Sequence, residues 1–533
     1  MESPSLYVKI VENDGKVVTV REKIMPKIYC TLTASHLLDE NLPENGLKFL
    51  TRTQLKREVV EYDEAVKYGI NSKQFINYAM SDAINTFDLY KLQSPQIAKQ
   101  GLSHLFWDIE MPFQKALMYL AINGIKADIS TAQQMTYETQ HLYYQIENEL
   151  LEFFGGQYNV KIKKRSREVY CEPSINFNSS DQVVPLIEGL GFEIFERSKK
   201  TKKKSWNKQS KNRLEGKHEV IDKLIKLGKI DKLLSTFLKP FGGFIDADGR
   251  IRCSFHNVVC VTGRLSCSSP NIEQLPKNNP IANIRNLFVA DSDNVFIVAD
   301  YGGQELRIMA EESGDKTMLT ALRNGFDIHL STANDFEQLG LTKQELTEGT
   351  PEHKLSKSKY KKQRNDCKSV GFGIAYGKGA YGFAKDFNWT EEAAQKFIDR
   401  FLDRYPGLRR AIEKTKEQIY KYGYVKNMSG RKRRFPDFHK LNKWGKERCY
   451  RQGFNFKIQS YGADVVKKAA SKIVKNTRLK LVNIVHDELV IECAKEYAQE
   501  AIEYIIVCMV KALPISIIWT VEIGTGVRYG EAK

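Results

Sequence analysis

The chain has 533 residues, 42% of them hydrophobic, a globular composition long enough for two to four domains and a sizeable core. Lys and Arg number 82 against 65 Asp and Glu, and the formal charge of +17 points to a polyanion, nucleic acid before membrane. There is no apolar signal core, no run of 18 apolar residues and no CxxC pair among nine scattered cysteines, and Cys253, Cys260 and Cys267 lack the histidines of a zinc site. These features exclude a membrane-spanning or zinc-finger class. They suggest reduced thiols in a cytoplasmic compartment, the host cytoplasm if the source is viral.

In chain order, residues 1–100 predict a small α/β unit. "SLYVKIVENDGKVVTVRE" reads as a hairpin around Asn-Asp-Gly, and "NSKQFINYAMSDAINTFDLYKLQ" has helical spacing. A helix over "MPFQKALMYLAINGIKAD" ends near Gly124, and another spans 130–155. Basic stretches follow at 161–167 and 196–216. Positions 197–213 hold nine Lys or Arg and no acid, which predicts a mobile loop able to touch phosphates. "NVFIVAD" (294–300) is an apolar strand ending in an acid. Helices are expected over 304–324 and 359–380. "LKLVNIVHDELVIE" gives two strand halves around His486, Asp487 and Glu488, then a helix, and "ISIIWTVEIGTGVRY" closes with a strand.

If the strand ending at Asp300 neighbours the 484–491 hairpin, Asp300 and Asp487 converge. Two ionised carboxylates that close repel unless a cation sits between them, and oxygen ligands favour magnesium. Two such ions about 4 Å apart suit phosphoryl transfer. The bland alternative is two unrelated strand-end acids. After Asp300, Gly302 and Gly303 let the backbone turn, and a helix from Gln304 places Glu305 and Arg307 near the acidic strand end.

A second block, "RNDCKSVGFGIAYGKG", spaces Arg364, Lys368, Phe372 and Tyr376 four apart. On a helix they form one stripe, two cations and then two rings, which suits a triphosphate followed by sugar and base. Gly371, Gly373 and Gly377 fit a place where substrate or backbone comes close. The spacing of "GFGIAYG" is not that of a dinucleotide loop, and "GKG" lacks the Ser or Thr of a P-loop.

Seven ordered blocks now stand together: "TGRLSCSSPNIEQLP", "VADYGGQELR", "DIHLSTA", "RNDCKSVGFGIAYG", "NMSGRKRRFPD", "NFKIQSYGADVVKKAA" and "IVHDELVIE". From about residue 31 to the end the chain resembles a family A DNA polymerase of the bacterial DNA polymerase I large-fragment type. The resemblance implies an α/β (α+β) right-hand fold. It implies an exonuclease-like region at 1–100, an entry helix and thumb at 101–240, a palm at 241–330 and 441–533, and fingers at 331–440. It also implies the partners, primer–template DNA and dNTPs, bound by a monomer with a processivity factor left open.

The roles it implies are specific. Asp300 and Asp487, with the Tyr301 carbonyl, would hold two Mg2+ ions (Mn2+ substituting), and Glu488 would be an auxiliary acid. Glu305 would block a ribose 2′-OH, with Gln304 beside it on the substrate. Arg364 and Lys368 would hold the triphosphate, which puts Lys368 among the catalytic groups. Phe372 would pack on the sugar and Tyr376 near the templating position. Arg264, Asn455, Gln459 and His486 would contact primer, template or nascent pair, and Arg307 would lie on DNA.

The pattern departs in places. "DYGGQELR" stands for the usual "DYSQIELR", so Gln304 replaces an apolar residue. Gly371 stands where Asn is usual, and the end reads "YGEAK" rather than "WDEAH". At the front, Tyr78 and Asp82 match the last motif of a 3′–5′ exonuclease, but its first Asp-x-Glu is missing upstream. Asp108 and Glu110 in "WDIEMPF" come in the wrong order to supply it, so no proofreading is expected. Two rival functions stay open: a single-subunit RNA polymerase and a catalytically inactive nucleic-acid-binding accessory protein.

Overall fold

A computed structural model describes residues 7–11, 17–21, 28–162, 169–276, 279–387 and 389–532. Two compact units emerge. The larger comprises 1–124, 253–273 and 293–525, and the smaller 125–252, 274–292 and 526–533.

The larger unit is organised by a four-stranded sheet in the order Lys480–Val485, Glu488–Ala494, Asn294–Tyr301, Val521–Gly526. The first three strands run antiparallel, with Glu488 opposite Asp300 and Val485 opposite Glu488. Antiparallel strands with one wet face alternate apolar and polar residues. Here Phe296, Ile297, Val298 and Ala299 are all buried, as are Leu489, Val490 and Ile491, so both faces of the sheet are covered. Helices Met111–Asn123 and Ala498–Val510 supply much of that cover, and a 31-residue helix, Lys443–Ile473, packs against both. Asn442 caps it by accepting from Gly445 N at 2.9 Å, and from Gly453 onward most of its residues are buried. Its hydrophobic residues share one core with the sheet and with Met111–Asn123 and Ala498–Val510.

The predicted helices largely appear. Lys73–Lys99 runs on through Pro95, and Met111–Asn123 stops at Gly124, whose φ of 57° is where a side chain is disfavoured. The expected 304–324 helix breaks in two, Gln304–Ser313 and Lys316–Arg323, because Gly314 takes φ 57° and Asp315 caps the second piece. The expected 359–380 helix is Lys361–Ala375, ended by Gly377 at φ 72°. At the front, strands Tyr7–Val11 and Val17–Arg21 pair antiparallel, and the Asn-Asp-Gly between them lies outside the described residues.

The smaller unit packs Ile129–Phe153 against Glu219–Leu233. Here one expectation is corrected: the basic run at 197–213 is not a mobile loop. Arg197 and Lys204 pair across a turn, Trp206 is buried, and Lys208–Leu214 is helical. Acids from outside the run offset the like charges: Lys203 meets Asp181 at 3.2 Å, Lys204 meets Glu188 at 2.5 Å, and Arg213 meets Glu196 at 3.0 Å. Of the earlier basic patch, residues 163–167 lie outside the described residues. Among the described residues no helix is long and apolar enough to cross a membrane.

Candidate active site

The sheet's hydrogen bonding brings the acids together. The turn between Val485 and Glu488 is only His486 and Asp487, and His486 takes φ 57° to close it. Tyr301 N donates to the Asp487 carbonyl at 3.3 Å, one register position from the Asp300–Glu488 pair. Asp300 and Asp487 are therefore diagonal neighbours on adjacent strands. Glu488 is fully buried beside them. Among the described residues no group of three or more His, Cys, Asp or Glu stands at metal-holding spacing. A cation held by the two aspartates would draw its remaining oxygens from backbone, water or a substrate phosphate, a donor set that suits magnesium.

A cavity of about 430 Å³ opens beside Asp487. Asp487 and His486 line it from the sheet, Gln304 and Glu305 from the start of the next helix, Phe372 and Tyr376 from the stripe helix, and Arg264 and Glu273 from a loop. Glu305 is held from two sides. Its Oε1 accepts from Arg264 at 2.5 Å and its Oε2 from the Tyr376 hydroxyl at 2.6 Å. Burial and the Glu305 charge push the Tyr376 phenol up to about 12, so it remains a donor at neutral pH. Burial pushes the Glu273 carboxyl up to about 7 against the pull of Arg264.

The stripe is also built as a unit. Arg364 Nε donates to Asp327 at 2.6 Å, and Asp327 itself caps Ile328–Glu337 by accepting from His329 N and Leu330 N. That fixes the guanidinium one turn before the exposed Lys368, whose ammonium lies 5.9 Å from the Phe372 ring. His329 stands 5.6 Å from the same ring, and burial lowers its imidazole to about 4, keeping it neutral.

The sequence profile of DNA polymerase family A matches residues 148–531. The chain belongs to that family. The thermostable DNA polymerase I of Thermus filiformis is 29% identical over 475 residues, covering 88% of this chain and 53% of the relative. The DNA polymerase I of Borreliella burgdorferi is 28% identical over 535 residues, 98% of this chain and 54% of the relative. The chain spans about half the length of these curated relatives. Among solved structures, the POL domain of Pol1 from M. smegmatis, in complex with DNA primer-template and dNTP, superposes with a TM-score of 0.79 at 24% identity. It covers 94% of this chain and 82% of that one, a likeness of fold.

Two residues expected at the substrate or DNA of this family A chain are turned inward. Arg307 is only 7% exposed; it donates to the Gly302 carbonyl at 3.0 Å and the Ile518 carbonyl at 2.9 Å. It ties the strand end to the 518 loop. The Tyr301 side chain is in the core, with its hydroxyl on the Met509 carbonyl at 2.8 Å and its ring edge-on to Trp519, so only its backbone is available to an ion. Gln304 is 4% exposed and reaches Gly462 of the long helix, its amide touching the cavity wall. Asn455 and Gln459 sit one turn apart on that helix, both half-buried.

The glycines at the end of the stripe helix sit where other parts of the chain come close: the Phe383 ring at Gly373, and both the side chain and the Cα of Arg451 at Gly377. Glu110 is structural. It is 1% exposed, bonded to Arg431, to Lys467 at 2.8 Å and to Asn257 at 2.7 Å. Near the front, Lys48 Nζ lies 2.5 Å from the Asp82 carboxylate and 4.1 Å from the Tyr78 ring centre.

His329, Asp327 and Glu273 went unassigned in the sequence. The first two were legible in principle, since "DIH" opens one of the seven blocks and its aspartate is a strong helix cap. Glu273 had no signal apart from its place in the first block.

Proposed function

We propose that this chain is a template-directed DNA polymerase that adds deoxynucleotides to a primer 3′ end. The observation that supports it best is the meeting, around one cavity, of the acidic hairpin tip, the doubly held Glu305 and the two rings of the stripe helix.

Asp300 and Asp487, with the Tyr301 carbonyl, would hold two magnesium ions, manganese substituting. Bound there, they would offset the charge that builds up on the transferring phosphoryl group. The protein's own groups do the rest. Arg364, oriented by Asp327, and the exposed Lys368 meet the triphosphate, and Lys368 offsets charge on the leaving pyrophosphate. Phe372 packs on the sugar. Glu305, clamped between Arg264 and Tyr376, fills the space a ribose 2′-OH would need. Arg264, Asn455, Gln459 and His486 contact primer, template and nascent pair, and the buried Glu488 supports the hairpin tip.

In this reading the palm is 241–330 with 441–533, the fingers 331–440 and the thumb lies within 101–240. The 1–100 region is read as exonuclease-like and inactive, a reading that the pairing of the Asp82 carboxylate with the Lys48 ammonium supports.

The test is primer extension with magnesium, run with dNTPs and with rNTPs, and with excision of a mismatched 3′ end measured in parallel. Extension with dNTPs and no excision is expected. A preference for rNTPs would identify an RNA polymerase. Primer–template binding without extension would leave an accessory protein.

A further inference from the structure

Residues 408–451 carry fifteen Lys and Arg against four Asp and Glu, a large part of the chain's whole positive surplus. Several of these cations are spent internally: Arg431 on Glu110 and Asp464, Arg433 and Arg434 on Glu40. Others, Lys421, Lys426 and Lys443 among them, are exposed.

Large rings stand among them. Tyr420 is 60% exposed, Tyr422 58%, Tyr424 36% and Trp444 81%. The backbone sets this display. The helix Pro406–Tyr422 ends at Gly423, whose φ of 69° turns the chain directly into the strand Tyr424–Lys426. That turn leaves the Tyr422 and Tyr424 rings side by side with centroids 6.2 Å apart, and Lys421 and Lys432 lie 5.3 and 5.4 Å from them. Beneath, Ile419, Val425, Phe435, Phe438, Cys449 and Phe456 form a small core, so the rings ride on a packed base.

Exposed rings interleaved with lysines fit one class of ligand well. Phosphates pair with the cations, and each unpaired base offers a flat face to a ring. A duplex hides its base faces, and an acidic peptide needs the cations but not the rings. We propose that this surface is a stacking track for an unpaired nucleic-acid strand. Calling that strand the template ahead of the primer rests on the polymerase reading; the binding itself does not.

The experiment uses the full chain without nucleotides and reads fluorescence anisotropy on three DNAs: an oligothymidylate of about 16 nucleotides, a primer–template with a one-nucleotide 5′ overhang, and the same duplex with a long 5′ overhang. The ring variant Tyr422→Ser/Tyr424→Ser is expected to lose about tenfold or more on the single strand and the long overhang. It should keep parent affinity for the short-overhang duplex and an unchanged melting temperature. Lys421→Gln/Lys426→Gln/Lys443→Gln should weaken single-strand binding and flatten its salt dependence. Parent-like binding of all three DNAs by the ring variant, or an equal loss on all three, overturns the proposal. So does oligoglutamate binding that survives the ring changes while neither variant alters single-strand binding, which would assign the surface to an acidic protein tail. Failure of the parent chain in the separate primer-extension assay, with its single-strand binding intact, would count against the polymerase reading alone.

Discussion

A methyl group on Gly462 would stand 2.7 Å from Gln304 Oε1, so the long helix carries no side chain where the buried amide of Gln304 reaches it. Gln304, polar where the family's usual residue is apolar, is accommodated because position 462 is a glycine.

This coupling has a sign that can be measured. In a helix interior, Gly→Ala gains about 1 kcal/mol, whereas crowding a packed site costs about 1–3 kcal/mol. Gly462→Ala should therefore destabilise the chain slightly by urea unfolding. In a Gln304→Ala background the same change should stabilise it by about 1 kcal/mol. Additive effects would show that the pair is not coupled.

Glu305→Ala should raise incorporation of rNTPs relative to dNTPs by at least about tenfold, since the space beside C2′ opens and no hydrogen bond to substrate is lost. Tyr376→Phe removes one of the two donors holding Glu305. It should relax the same discrimination by a smaller factor, read as kcat/KM for matched dNTP and rNTP pairs.

Glu273 should impose a pH dependence on DNA affinity. Its carboxyl, raised to about 7, faces Arg264 with the Cys260 and Cys267 thiols nearby. It is neutral below that pH and anionic above, so primer–template binding should weaken as pH rises from 6 to 8. The stability sign agrees: for a raised folded pKa, the contribution is complete below the unfolded value and fades as pH climbs through about 7. In Glu273→Gln the affinity slope over that interval should vanish. An unchanged slope would assign it to another group.

The buried Glu110–Arg431–Lys467–Asp464 network should govern acid stability. Burial alone would raise the Glu110 carboxyl, but Lys467 and Arg431 pull it down to about 2. A depressed folded pKa means the stabilisation is complete above the ordinary value of 4.5 and is lost as pH falls toward 2. Arg431→Met removes the cation shared by two buried carboxylates, leaving Glu110 with Lys467 and Asp464 with only neutral donors, and should cost about 3–5 kcal/mol in urea unfolding at pH 7.

How much of this was legible in the sequence depends on the range of the interaction. The strand ending at Asp300 and the 484–491 hairpin follow from β-formers flanking short polar tips, which is local information. The four-residue spacing of Arg364, Lys368, Phe372 and Tyr376 likewise needs only a helix. What the sequence hid was long-range. Arg307 looks like a DNA contact until the Ile518 carbonyl, some two hundred residues on, is seen to accept its hydrogen bond. The 197–213 run looks disordered until Asp181, Glu188 and a buried Trp206 are placed around it. The clamp on Glu305 needed Arg264 and Tyr376 brought in from two other segments.

The most direct test of the central claim is Asp487→Asn, compared with the parent in single-turnover primer extension and in primer–template binding. The account predicts extension reduced by about a thousandfold or more with DNA affinity nearly unchanged, because the substitution removes the charge the proposed ions need while keeping the side chain's size. Extension at the parent rate with bound DNA would contradict it.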